Sequence, residues 1–297
     1  MPVQPDTAVP RIEELIRRRS ATDRRMSYIW MLVPLLPVIV GMAVAISLIG
    51  IIASNISSLE NLRQQQANAL PIVGEIVALY GVGIIALYLV LAVGSFAIYN
   101  LIERRNAHFR RQQQLFSTLQ AHLASLLNPS KSGNITILRQ VNEDSIFQER
   151  DRPSGLWAVL YLFVPPIVSI VVAYNLTQDI RRHDQLQIAS QTALVGAFID
   201  AELPSLTVAQ YNSHKRDPML FVILTAITGG LFWVYWFYAL LKDYNVHFSD
   251  QARFEDEILG ALKPPLPTRL CSSCGGVIEG NVKFCPYCGS KQESLQA

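Results

Sequence analysis

Charge is scarce in this chain. Only 16% of its 297 residues are Asp, Glu, Lys or Arg, against about 25% in an ordinary soluble domain. The deficit is concentrated. Tyr28 to Ala53 has no charge, Leu70 to Leu101 has Glu75 alone, and Gly155 to Leu176 and Pro218 to Leu241 have none. Each stretch holds at least 22 residues, enough for a helix to cross about 30 Å of hydrocarbon. Buried helices of soluble proteins rarely run so far without a charge. Cysteine is absent before position 271. No glycine-rich phosphate loop, nucleophile elbow or histidine–carboxylate cluster stands along the sequence, which argues against an enzyme. A net charge of +2 is too small to point to nucleic acid as a partner.

The four apolar stretches read as membrane spans over 28–53, 70–101, 155–176 and 218–241 of an all-α domain covering 28–262. The first is too long for a removable signal peptide, and three more follow it. With four crossings, Lys and Arg number 20 on the side holding both termini and the middle loop, and 5 on the other. The positive-inside rule then expects a multi-pass protein of the cell membrane with both termini in the cytoplasm. Residues 1–27 form a basic arm. Ile12, Leu15 and Ile16 share one side of a short helix there, which could lie on lipid headgroups, although the simpler expectation is that its arginines only set topology.

A pattern recurs at an offset of 139 residues. Tyr99 to Phe109 and Tyr238 to Phe248 share Y-x-L-[IL]-x-x-x-N-x-H-F, and Leu115, Leu119 and Leu123 match Phe254, Ile258 and Leu262. The first and third stretches share Trp30 or Trp157 near the start, then Pro34 and Pro37 or Pro165 and Pro166. The expectation is two parallel hairpin repeats about an axis along the membrane normal. Cytoplasmic helical extensions are expected over 102–128 and 242–262, the first ended by Asn128-Pro129. A strand pair or loop is expected over 134–152. A helical cap on the outer side is expected over 178–217, broken at Leu203-Pro204. Few buried contacts within two hairpins would also suit a homo-oligomer.

Residues 263–268 form a proline-rich linker to a module over 269–297. Its cysteines read Cys271-x2-Cys274-x10-Cys285-x2-Cys288, with Gly275 and Gly289 after the pairs. Two such turns can aim four thiolates at one tetrahedral ion. So short a module cannot fold on its own core, so metal binding would supply the folding free energy. A reducing cytoplasm argues against disulfides, and four thiolates favour a closed structural Zn²⁺ site. Residues 271–289 resemble the zinc ribbons attached to many prokaryotic membrane proteins. Thr225 to Trp236 resembles a stretch of an uncharacterised family of small prokaryotic membrane domains, which implies architecture and no activity.

Three other ionisable side chains stand out. Glu75 lies within a span, where a carboxylate points to function, but near enough to its outer end to reach headgroups. His108 and His247 occupy equivalent positions of the repeat. Paired, they could form a metal or pH-sensitive site; the plainer reading is a packed junction. Gly229-Gly230 is expected to permit close helix packing, and Trp233, Tyr235, Trp236 and Tyr238 to form an interfacial belt. Phe284 and Tyr287 are expected to fill the small core of the cysteine module. The expected function is that of a non-enzymatic membrane anchor or adaptor whose zinc ribbon docks a cytoplasmic protein. The alternative is a transporter or channel subunit regulated by the ribbon, with Ser47, Ser95, Ser169, Thr225 and Thr228 as the available polar lining.

Overall fold

A computed structural model describes residues 5–54, 69–127, 131–211, 216–263, 268–279 and 282–292. Nine α-helices and two short strands occur among them: α1 Pro5–Arg17, α2 Arg19–Thr22, a 3₁₀ helix Tyr28–Leu35, α3 Leu36–Ser54, α4 Ala69–Leu126, α5 Gly133–Gln148, α6 Ser154–Phe163, α7 Pro165–Asp200, α8 Pro218–Ile227, α9 Phe232–Leu262, β1 Thr268–Leu270 and β2 Val277–Glu279. The chain is mostly helical. The expected helix end at Asn128-Pro129 and most of the proline linker lie outside the described residues.

Two helices are long and apolar enough to cross a membrane, Tyr28–Ser54 and Val73–Leu126. Their apolar windows contain no buried residue, so these side chains face outward. They pack on each other where Gly83 meets Val44. At 58 residues, α4 runs about 87 Å. Its first half is apolar and its second half is the axis of a polar helical body.

The other two apolar stretches are not single helices. Residues 154–176 break at Val164, where Pro165 and Pro166 begin α7. Residues 218–241 break at 228–231. In both places the chain reverses. Arg152, just before α6, bonds Asp179 of α7 at 2.6 Å. Arg216, just before α8, meets Asp243 of α9 at 2.6 Å. In the second hairpin the Phe221 ring lies 5.2 Å from Phe232 and 5.7 Å from Trp236. The sequence-based span positions therefore correspond to helical hairpins of about ten residues per arm.

The hairpin tips expose apolar side chains. Their most exposed residues are Phe163 at 76%, Ile227 at 76% and Leu231 at 77%. In hydrocarbon every backbone N–H must find a partner within the protein. At the second tip the amides of Thr228, Gly229, Gly230, Leu231, Trp233 and Val234 bond carbonyls within the turn, and Phe232 N bonds Thr228 Oγ1 at 2.9 Å. At the first tip Pro165 and Pro166 have no N–H to satisfy. Gly229 and Gly230 have φ of 59° and 93°, and an added Cβ would meet nothing within 4 Å. They serve the reversal, not close packing.

Because the third stretch turns back, α7 carries residues 177–200 down beside the second half of α4 instead of to an opposite side. The expected outer cap is thus part of the polar body. Helix α7 ends at Asp200, Glu202 follows with φ 58°, and 203–211 has no regular secondary structure. The strand pair or loop expected near 134–152 is mostly α5, whose Ile135, Leu138 and Asn142 share a buried face at helical spacing. The N-terminal arm is also internal: Ile12, Leu15 and Ile16 cluster with Leu115, Phe116, Leu119, Phe254 and Ile258. Burying each such side chain stabilises by about 1.5–3 kcal/mol, so this face is not free for lipid. Trp236, expected in an interfacial belt, is fully buried, with Nε1 donating to Thr177 Oγ1 at 2.9 Å; Tyr235 is exposed.

The two asparagines of the shared pattern do not bond to each other. Asn106 donates to Arg152 O at 2.8 Å and accepts from Arg152 N at 3.1 Å. Asn245 donates to Met26 O at 2.8 Å and accepts from Met26 N at 3.1 Å. Each amide clamps the backbone that leads into an apolar segment of the other half of the chain.

Candidate functional site

Two clusters of metal-ligating side chains occur among the described residues. The first is the cysteine quartet. Cys271 and Cys285 each begin a turn of the same design: Gly275 N bonds Cys271 O at 2.9 Å and Cys271 N bonds Gly276 O at 2.8 Å, while Gly289 N bonds Cys285 O at 2.9 Å and Cys285 N bonds Ser290 O at 2.8 Å. Gly275 and Gly289 both have φ 71°, which is why glycine closes each turn. Strands β1 and β2 pair antiparallel, with Arg269 opposite Ile278, and Phe284 bridges to Lys291.

The turns bring Cys271 Sγ to 3.7 Å from Cys288 Sγ and Cys274 Sγ to 3.7 Å from Cys285 Sγ. All four sulfurs lie within 4.8 Å of one another. Sulfurs bound tetrahedrally at about 2.3 Å sit roughly 3.8 Å apart, so the quartet fits a metal ion. Ser273 N reaches Cys271 Sγ at 3.4 Å, and Ser290 Oγ lies 3.3 Å from Cys271 Sγ and 3.1 Å from Cys288 Sγ. Among the described residues of the module, Cys271, Ile278 and Cys285 form the buried core. Phe284 and Tyr287, expected inside, are 60% and 72% exposed.

The second cluster lies in the polar body. His108 on α4, His183 on α7 and His247 on α9 are all buried. Each ring presents Nδ1 to a carboxylate: His108 to Asp23 at 3.0 Å, His183 to Glu149 at 2.7 Å, His247 to Asp184 at 2.7 Å. The Nε2 atoms turn inward. Those of His108 and His247 are 3.1 Å apart, and His183 Nε2 has no hydrogen-bond partner. The Phe109 ring stacks on His183 at 4.0 Å.

This cluster lies beyond the apolar half of α4. Burial pushes His108 down to about 3, against the opposing pull of Asp23, so the ring is neutral. Burial would raise Asp23, but His108 and Arg111 outweigh it and hold the carboxyl below its ordinary value. Burial acts on Glu149 in the same sense, and His183 and the Ser145 hydroxyl override it. Around the histidines, Asp179 takes Arg105 at 3.0 Å and Arg152 at 2.6 Å, and Asp23 takes Arg111 at 2.7 Å. A chain of buried amides continues inward: Gln251 donates to Gln112 at 3.0 Å and accepts from Tyr211 at 2.6 Å.

The repeated N-x-H-F offered a His108–His247 pair as the alternative to a plain packed junction, and the structure brings the two Nε2 atoms to 3.1 Å. It did not point to His183 or the three carboxylates, because the assumed crossing put His183 on the far side. The sequence holds a usable signal: Val172, Leu176, Ile180, Gln187, Leu194 and Ala197 are buried on one continuous helix, and the apolar members keep helical spacing straight through the supposed span end. Glu75 stands exposed in the second turn of α4, about 50 Å along the helix from His108. Of the polar residues named as a lining, Ser47, Thr225 and Thr228 bond the carbonyls of Ala43, Phe221 and Leu224 one turn back, and Ser95 bonds Ala158 O of α6. Comparison of the chain with protein-family models, curated proteins and solved structures finds no match.

Proposed function

We propose that this chain is an integral membrane docking protein. Helices α3 and α4 cross the bilayer, and the hairpins α6–α7 and α8–α9 enter it and return to the same face. The exposed apolar tips and the internally satisfied turn amides support this reading. Under it, 24 of the 25 Lys and Arg residues lie on one face, and Arg63, between α3 and α4, is the one on the other. That asymmetry favours a cytoplasmic polar body more strongly than four crossings do. The reciprocal Asn106–Arg152 and Asn245–Met26 clamps support an internal repeat about a pseudo-two-fold axis, with the second half elaborated by α7.

The cysteine quartet holds zinc as a closed structural site, and the module it folds recruits a cytoplasmic protein. The observation that carries this function is the module's surface. Leu270, Val277, Phe284 and Tyr287 are all exposed around a core of three residues. A structural metal site has no need of such a surface, and exposed aromatic residues of this kind anchor protein interfaces. The test is affinity purification from native membranes of the full chain beside its Phe284→Ser/Tyr287→Ser variant. The variant is expected to keep its zinc and lose a partner. Identical sets of co-purifying proteins would overturn the docking function.

A further inference from the structure

The buried histidine cluster is a second metal site, unrelated to the cysteine quartet: we infer that His108, His183 and His247 bind one divalent transition metal through their Nε2 atoms. Three observations lead there.

The first is the direction of the rings. Each Nδ1 faces a carboxylate; His183 and His247 hydrogen-bond theirs at 2.7 Å, which favours the proton on Nδ1 and Nε2 as the lone pair, while His108 Nδ1 lies 3.0 Å from Asp23 without hydrogen-bond geometry. A carboxylate behind each ligating histidine is the usual support of a metal-bound imidazole, because it fixes the tautomer and raises ligand basicity. Here three helices each supply one such ring.

The second is the space between them. The Nε2 atoms of His108 and His247 lie 3.1 Å apart, a distance at which the two rings either share one proton or converge on one ion. His183 Nε2, fully enclosed and without a hydrogen-bond partner, faces the same point, and the three ligand atoms lie within 4.8 Å of one another. Nitrogens bound tetrahedrally at about 2.0–2.1 Å sit roughly 3.3 Å apart. Small ring rotations close the set.

The third is charge. Asp179 and Asp23 have arginine partners. Among the described residues Glu149 and Asp184 form ion pairs with histidine alone, and their side chains are 2% and 1% exposed. Enclosing two carboxylates with no arginine or lysine in direct contact is costly, and a divalent ion at the histidines offsets that cost, beyond the longer-range pull of Arg105 on Glu149. Three imidazoles suit zinc, iron(II), nickel or copper. Unlike the four cysteines they leave a coordination position for water or another small ligand. A surface cavity of about 210 Å³ lined by Asp184, Tyr211, His247 and Asp243 reaches the edge of the site.

The test uses the full chain purified in detergent with zinc supplied throughout. Metal analysis is expected to give two equivalents per chain, falling to one in His183→Ala and to one in Cys285→Ser/Cys288→Ser. X-ray absorption at the zinc edge of the cysteine variant is expected to show a nitrogen or oxygen shell near ~2.0 Å without the sulfur shell near ~2.3 Å. One equivalent in the full chain with a sulfur shell alone would overturn the site, as would His183→Ala retaining two. If His183→Ala does not fold, the stoichiometry and absorption spectrum of the unaltered chain decide.

Discussion

Arg152 and Asp179 are 27 residues apart in the chain and 2.6 Å apart in space. In an unbroken helix the same separation would be about 40 Å. Arg216 and Asp243, again 27 residues apart, meet at the same distance. Each pair closes the polar base of an apolar helical hairpin. Asp243→Ala is expected to destabilise the protein by about 1–3 kcal/mol, because it strands a partly buried guanidinium. Exchanging the charges, Arg216→Asp with Asp243→Arg, is expected to recover part of the loss. Thermal unfolding in detergent measures both, and a double variant no better than Asp243→Ala would contradict the pairing.

Gly230 sits at φ 93° in the second tip. Replacement by Ala forces a Cβ into backbone space that L-residues avoid, at a cost of about 1–2 kcal/mol, although no neighbour obstructs it. Gly94 differs: an added Cβ would lie 2.4 Å from the Tyr161 ring. Gly94→Ala must push α6 from α4, for about 1–3 kcal/mol. Equal melting temperatures for either variant and the parent chain would contradict the turn or the contact, respectively.

Asn245 satisfies both backbone groups of Met26, and Asn106 both of Arg152. Asn245→Ala takes the partner from both Met26 backbone groups and from Arg104 Nη1, which donates to Asn245 Oδ1 at 3.2 Å, for about 1–3 kcal/mol. Because each clamp joins separate places in the chain, the Asn106→Ala and Asn245→Ala losses should add within about 0.5 kcal/mol. Chemical denaturation of the single and double variants checks this.

Loss of the thiolate-bound ion should unfold the cysteine module. With Cys271, Ile278 and Cys285 as the buried core among its described residues, it lacks the apolar burial to fold without an ion. A chelator able to strip thiolate-bound zinc is expected to abolish hydrogen-exchange protection of β1 and β2. Protection of β1 and β2 that survives chelation would contradict a metal-dependent module.

Much of this architecture is legible from residue pattern. Cysteine spacing and the glycines after each pair led directly to four converging sulfurs, and the repeated N-x-H-F led to two histidines now seen 3.1 Å apart. What failed was the rule that an apolar stretch of span length is a span. Hydropathy averages over Val164-Pro165-Pro166 and over Thr228-Gly229-Gly230, yet these few residues reverse the chain. The error propagated. Once residues 178–217 were assigned to the outer side, His183 and Asp184 could not meet His108 and His247. The expected strand or loop near 134–152 failed for a smaller reason: Ile135, Leu138 and Asn142 keep helical spacing, but a single polar Asn among few apolar positions weakens the pattern. Phe284 and Tyr287 were expected inside because aromatic residues usually fill a core, while here the bound turns leave little core to fill.

The hairpin account is tested most directly by asking on which side of the membrane α7 ends. Thr192 is exposed on α7 and Ser117 is exposed on α4, while Ser58 lies between the two apolar helices. Each is replaced by Cys in a chain whose native cysteines are Ser, and intact cells are treated with a membrane-impermeant maleimide. Ser58→Cys is expected to react in intact cells, and Ser117→Cys and Thr192→Cys only after permeabilisation. If Thr192→Cys reacts in intact cells alongside Ser58→Cys, the third apolar segment crosses the membrane and the account is wrong.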